Sequence, residues 1–143
     1  GDTDTAINGP YENSFDGAGP LDGWMFYDPN DANTPPSSSV STLWAVDDTP
    51  ADMPGGSFSS SPNSLNYNNG QNYDVGQNAG VAISPKVNIA NMSLPVLYFK
   101  CNYETEETGT NFDQRHLKVG YWSGSSPSYY LETQLSTSPG SST

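Results

Sequence analysis

The sequence predicts an all-β fold, an antiparallel β-sandwich with long loops and little or no helix. Three observations carry that prediction. Short runs of alternating apolar and polar residues recur at near-regular spacing, and turn-forming residues fill the gaps between them. No stretch keeps a 3.6-residue apolar period over three turns. With 143 residues the chain has the length of one domain, taken as 1–143 with a polar tail at 136–143.

The first 23 residues are dense in turn chemistry: Asn8-Gly9-Pro10, Asp16-Gly17, Gly19-Pro20 and Asp22-Gly23. Among them Glu12 to Phe15 reads as a short first strand. Trp24 to Tyr27 is a compact aromatic strand ended by Asp28-Pro29. Residues 28–39 are a loop, since prolines and clustered small polar residues offer no periodic apolar face. Val40 to Val46 alternates as a strand, with Val40, Thr42, Trp44 and Val46 on one side. A second loop runs over 47–63.

Ser64 to Tyr67 is the next strand, followed by the turn Asn68-Asn69-Gly70. Gly80 to Ser84 is another, with Val81 and Ile83 inward and Pro85 as its stop; Val87 and Ile89 extend the apolar theme. Leu94 to Tyr103 has the best alternation in the chain. It sets Leu97, Phe99, Cys101 and Tyr103 on one face and Val96, Tyr98, Lys100 and Asn102 on the other. After the acidic loop Glu104 to Thr110, Gln114 to Trp122 reads as its partner, with Leu117, Val119 and Tyr121 inward and His116 and Lys118 outward. Tyr129 to Leu135 is the last strand.

Composition narrows the function. Leu, Ile, Val and Phe make only 23 residues, about 16% of the chain, whereas Tyr, Phe and Trp together make 17. A thin core rich in aromatic residues follows, because each aromatic ring buries a large area. The net charge of −12 works against nucleic acid and anionic membranes, both of which require basic patches. No apolar run approaches the roughly 20 residues of a membrane span, and no signal-peptide pattern is present. The lone Cys101 excludes an internal disulfide framework. Low Lys, with 14 Asn and 20 Ser, suits an extracellular or cell-surface setting.

Catalytic chemistry finds few candidates. The only His is His116 and the only thiol Cys101, and the alternation sends them to opposite faces, a core thiol and a solvated imidazole. Gly124-Ser125-Ser126-Pro127 lies in a hairpin turn, not on a nucleophile elbow. The acid pairs Asp47-Asp48 and Glu106-Glu107 lie in loops, where carboxylates are mostly solvated. Asp28 to Asn33 has the composition of a calcium loop but lacks the glycine an EF-hand needs at its sixth position. Tyr67, Tyr73, Tyr98, Trp122, Tyr129 and Tyr130 exceed what one core face can hold, so some are candidates for stacking on sugar rings or for an adhesive patch. Asn91-Met92-Ser93 is an N-glycosylation sequon, meaningful in a eukaryotic secretory setting.

The order of segments resembles bacterial cleaved-adhesin and choice-of-anchor J modules, relatives of the MAM domain. The resemblance rests on Ser14 to Trp24, Ser64 to Tyr67, Asn72 to Gly76, Ala82 to Ile89, Leu97 to Phe99 and Phe112 to Val119, spanning residues 12 to 123. It implies a jelly roll of two packed sheets and an accessory, non-catalytic role. It also implies a structural calcium, with Asp16, Asp74 and Asp113 at the positions of the family's acids. Nothing after Leu135 resembles the family's closing strand, so the expectation is a jelly roll completed by a further segment or a neighbouring chain.

The function expected is adhesion, or binding of a glycan or protein ligand, with Trp122, Tyr130 and Tyr98 as contact residues. No nucleic acid and no membrane insertion are expected. The alternative is a structural subunit of a surface filament or layer, completed by a neighbouring chain. A secreted hydrolase domain stands third and would require His116 to meet a carboxylate in a concave pocket.

Overall fold

The computed structural model describes residues 6–48, 63–67, 79–101, 116–123 and 126–134; at 122–123, 126–130 and 134 only the backbone is described. These residues are strand, turn and loop, with no helix among them. The fold is all-β. Among the described residues eight strands pair into four two-stranded sheets, and contacts divide the chain into two units, one of them Ala6–Lys100 and the other containing the last two strands.

In the first unit, β1 (Ile7–Asn8) pairs in parallel with β6 (Val87–Asn88), and the Ile7 and Gly9 amides donate to the carbonyls of Lys86 and Asn88 at 2.8 and 3.1 Å. The sequence places no strand at Ile7, because the turn signals around Asn8-Gly9 mask a two-residue ladder. It is also a parallel pair in a chain read as antiparallel.

Strand β2 (Met25–Tyr27) pairs antiparallel with β5 (Val81–Ile83), aligning Phe26 with Ala82. On its other side Phe26 exchanges two backbone hydrogen bonds with Ser37, at 2.9 and 3.1 Å. A backbone held from both sides places its side chain centrally, and Phe26 is 6% exposed, the one buried hydrophobic residue among the described residues. Pro85, just past the end of β5, is also buried, and its ring stands 3.2 Å from where a Cβ on Gly23 would lie. Gly23, at φ +77°, is therefore favoured by conformation, and a Cβ there would also press on the Pro85 ring.

Strand β3 (Trp44–Asp47) pairs antiparallel with β4 (Ser64–Tyr67), Trp44 facing Tyr67. Their rings meet edge to face at 5.1 Å, and the Trp44 indole N–H donates to the Gly80 carbonyl at 3.1 Å. A Cβ on Gly80 would stand 2.8 Å from Tyr67 Cε2, so this aromatic pair needs glycine there.

In the second unit, β7 (His116–Ser123) and β8 (Ser126–Gln134) form an antiparallel hairpin. Val119 faces Leu131 and Gly120 faces Tyr129, so Tyr130 is the extra residue of a bulge.

Four expectations are corrected. Glu12 to Phe15 is not a strand; Phe15 has φ +65°, a left-handed conformation that breaks extended pairing. The strand read from Val40 begins only at Trp44. Tyr121 is 58% exposed instead of inward, since a two-stranded ribbon does not close over its own face. Most consequentially, residues 94–101 of the best-alternating segment belong to no strand, while 102 and 103 lie outside the described residues. The expected partner pairs with β8 instead. Ser123 and Ser126 are joined through two residues, whereas pairing with 94–103 must close a much longer loop, and loop closure grows costlier with length. Pro95 also lacks the N–H that a ladder uses.

Candidate functional site

Asp16, the first of the expected metal ligands, is half-buried in a knot of side-chain-to-backbone hydrogen bonds. Its Oδ1 accepts the Asn63 amide at 2.8 Å, and Asn63 Nδ2 donates to the Phe15 carbonyl at 3.1 Å. Asn13 fixes the approach to this corner, its Oδ1 accepting from the Phe15 amide at 2.8 Å while its Nδ2 donates to the Pro20 carbonyl at 2.7 Å. The Tyr11 hydroxyl accepts from both Asn13 Nδ2 and the Trp24 indole N–H, each at 3.2 Å, and the Phe15 and Trp24 rings lie 5.7 Å apart. Phe15 at positive φ is held in place by these bonds.

In this geometry Asp16 has a structural role, because one of its carboxylate oxygens holds a backbone amide 47 residues away in the chain. Asp74 and Asp113 lie outside the described residues. Among the described residues no group of three His, Cys, Asp or Glu side chains converges as a metal site would require. The Asp28 to Asn33 loop turns its carboxylates onto its own backbone. Asp28 Oδ1 accepts from the Asn30 amide at 2.8 Å and Asp31 Oδ1 from the Asn33 amide at 3.0 Å, two successive Asx turns. The Thr34 hydroxyl and the Asn33 amide hold the Asp31 carboxyl below the usual aspartate range.

His116 does meet a carboxylate. Its Nδ1 lies 2.9 Å from Glu132 Oε1, and Lys118 Nζ lies 3.2 Å from the same oxygen. Lys118 and Glu132 are direct cross-strand partners. Mainly through the Lys118 hydrogen bond, the Glu132 carboxyl sits below the usual glutamate range. His116, Lys118 and Glu132 are exposed on the hairpin surface, as outward-facing residues should be. One carboxylate shared by an imidazole and an ammonium on open surface is a surface polar cluster rather than a general-base pair set in a cleft. Cys101 is a free, half-buried thiol.

The expected contact residues separate. Tyr98 is 79% exposed, within a run in which Leu94 and Val96 are similarly bare at 79% and 74%. Trp122 is placed opposite Pro127 in the hairpin, and Tyr130 at the bulge; their side chains lie outside what is described, as does Tyr73. Tyr67, by contrast, is half-buried against Trp44. Asn91 of the sequon is exposed in a turn closed by the Met92 amide donating to the Ile89 carbonyl at 3.0 Å.

Sequence reasoning missed Tyr11, Asn13 and Asn63. Asn13 could have been found, since Asn two residues before an amide commonly forms an Asx turn. Nothing local marks Asn63, whose partners lie far back in the chain. Comparison with protein-family models, with characterised proteins and with solved structures found no match for this chain.

Proposed function

We propose that this chain is a non-catalytic module of extracellular or cell-surface type that works by binding, adhering to a glycan or protein ligand. The supporting observation is the exposed run Leu94 to Phe99, with Tyr98 at its centre. Contiguous exposed apolar surface is characteristic of interaction sites, and an exposed tyrosine offers both a stacking face and a hydroxyl. The composition, poor in cations and rich in Asn, Ser and acids, supports the location. The resemblance over residues 12 to 123 supports the accessory role and a two-sheet jelly roll as the frame.

The test is direct binding of the chain to arrayed glycans and to immobilised extracellular proteins. Tyr98→Ala and Val96→Lys should abolish the signal without moving the urea midpoint, because both residues lie outside every strand. Binding that survives both changes sinks the reading.

Calcium belongs to this reading through the resemblance alone. If an ion bridges Asp16, Asp74 and Asp113, a chelator lowers the melting midpoint, since a ligand of the native state alone must raise it. An unchanged midpoint removes calcium from the proposal.

A second reading, a structural subunit completed by a neighbouring chain, is favoured by the pairing pattern. Among the described residues every sheet has only two strands, and a sheet edge is a template for pairing with another chain. Electron microscopy of the purified chain separates the two readings: polymers support the second, monodisperse particles the first.

A further inference from the structure

We propose that Asn91 is an N-glycosylation site, taking an oligosaccharide from a polyprenyl-diphosphate donor onto its side-chain amide nitrogen. The proposal rests on the extracellular setting of the reading above. It goes beyond that reading, since this oligosaccharide is part of the chain itself and not a ligand.

The sequence offers one acceptor. Of fourteen asparagines, only Asn91 has Ser or Thr two residues later with no proline between, and Leu94, not proline, follows Ser93. Asn33 comes near, but Pro35 stands where the hydroxyl residue is needed.

The local fold presents that acceptor outward. Strand β6 ends at Asn88, whose Oδ1 accepts from the Ala90 amide at 3.0 Å, and the Met92 amide then closes a turn onto the Ile89 carbonyl at 3.0 Å. Asn91 is the third residue of this turn. Met92 is half-buried, its sulfur 2.8 Å from where a Cβ on Gly9 would lie, whereas Asn91 and Ser93 on either side of it are exposed. The two residues that a transferase must read therefore face solvent, and the residue between them anchors the turn.

The asparagines nearby are spent on structure. Asn13 and Asn63 donate their amides to the carbonyls of Pro20 and Phe15, and Asn88 donates to Asn8 Oδ1 at 3.3 Å. The side chains of Asn91 and Ser93 hold no bond to any described residue. Modifying Asn91 thus breaks nothing in the fold.

The step is a displacement without redox change. Asn91 Nδ2 bonds to the anomeric carbon of the donor sugar, the bond from that carbon to the diphosphate oxygen breaks with its electron pair, and the nitrogen gives one proton to a base of the transferase.

The experiment is secretion of the whole chain from cultured eukaryotic cells behind a cleavable leader, with intact-mass and peptide mass spectrometry before and after a glycan-releasing amidase. Expected is a single N-glycan on most chains, released to leave aspartate at position 91. Asn91→Gln and Ser93→Ala should each abolish it, Ser93→Thr should keep it, and Asn91→Gln should leave the urea midpoint unchanged. Secreted chain without a glycan at Asn91, while a control glycoprotein from the same cells carries its own, overturns the proposal. So does a glycan that survives Ser93→Ala. An unmodified chain that still binds its ligand through Tyr98 leaves the binding reading standing, and a glycosylated chain that binds nothing sinks that reading alone.

Discussion

Trp24 and Tyr98 are both large aromatic residues in the unit Ala6–Lys100, and they meet opposite fates. Trp24 precedes a strand held by β5, stacks near Phe15 and donates its indole N–H to Tyr11. Tyr98 lies in a run at least as apolar and stands 79% exposed. The difference is not hydrophobicity. Around Trp24, polar side chains at 11, 13, 16 and 63 bond to backbone groups and to one another, and hold the chain in a shape that lets rings meet. Around Tyr98 no described residue supplies a ladder partner. Burial follows from where backbone bonds bring the chain, and apolar residues without such bonds stay outside.

The sharpest way to break this comparison is truncation on each side. Phe26→Ala, removing a ring gripped between β5 and Ser37, should cost about 3–4 kcal/mol in urea unfolding. Tyr98→Ala should stay within about 0.5 kcal/mol, as surface changes do. Similar losses for both would mean that the 94–99 run is part of the core after all.

A smaller effect tests the polar knot. Asn63→Ala deletes the bond to the Phe15 carbonyl but leaves its own amide bonded to Asp16, so a loss of about 1 kcal/mol is expected. No change would show that the corner at Phe15 does not depend on this tie.

The smallest effect lies on the hairpin. Glu132 is depressed in the folded state, so its contribution to stability is present at neutral pH and disappears as acid titrates it through and below the usual glutamate range. By carboxyl NMR, Lys118→Ala should move the Glu132 midpoint up towards the ordinary value, and His116→Ala should move it less, because the Lys118 hydrogen bond is the larger cause. Equal shifts from the two variants would contradict that ranking.

Much of the fold was legible where the signal was local. Trp24 to Tyr27, Ser64 to Tyr67, Gly80 to Ser84 and the last two strands were each read close to their observed positions, because alternation and flanking breakers act within a few residues. The outward placement of His116 and Lys118 followed from the same alternation. Of the candidate site, Tyr98 is exposed, but so are Leu97 and Phe99, which the alternation places inward, so the faces of that run were not legible. Nor was the knot at Asp16, since it depends on an amide at Asn63.

By itself, then, the sequence determined an acidic, aromatic-rich chain of short strands and located most of them, while missing β1 and reading strands at 12–15 and 94–101 that do not form. Periodicity and turn chemistry are properties of neighbours in the chain, so one-dimensional information suffices for them. Tertiary structure alone decided which stretches pair. The best-patterned run lost its partner to a hairpin closed by two residues, and two-residue β1 found a parallel mate about eighty positions away. Pairing is a competition among all edges at once, settled by loop closure and by available backbone donors, and no single stretch carries that outcome in its own residues.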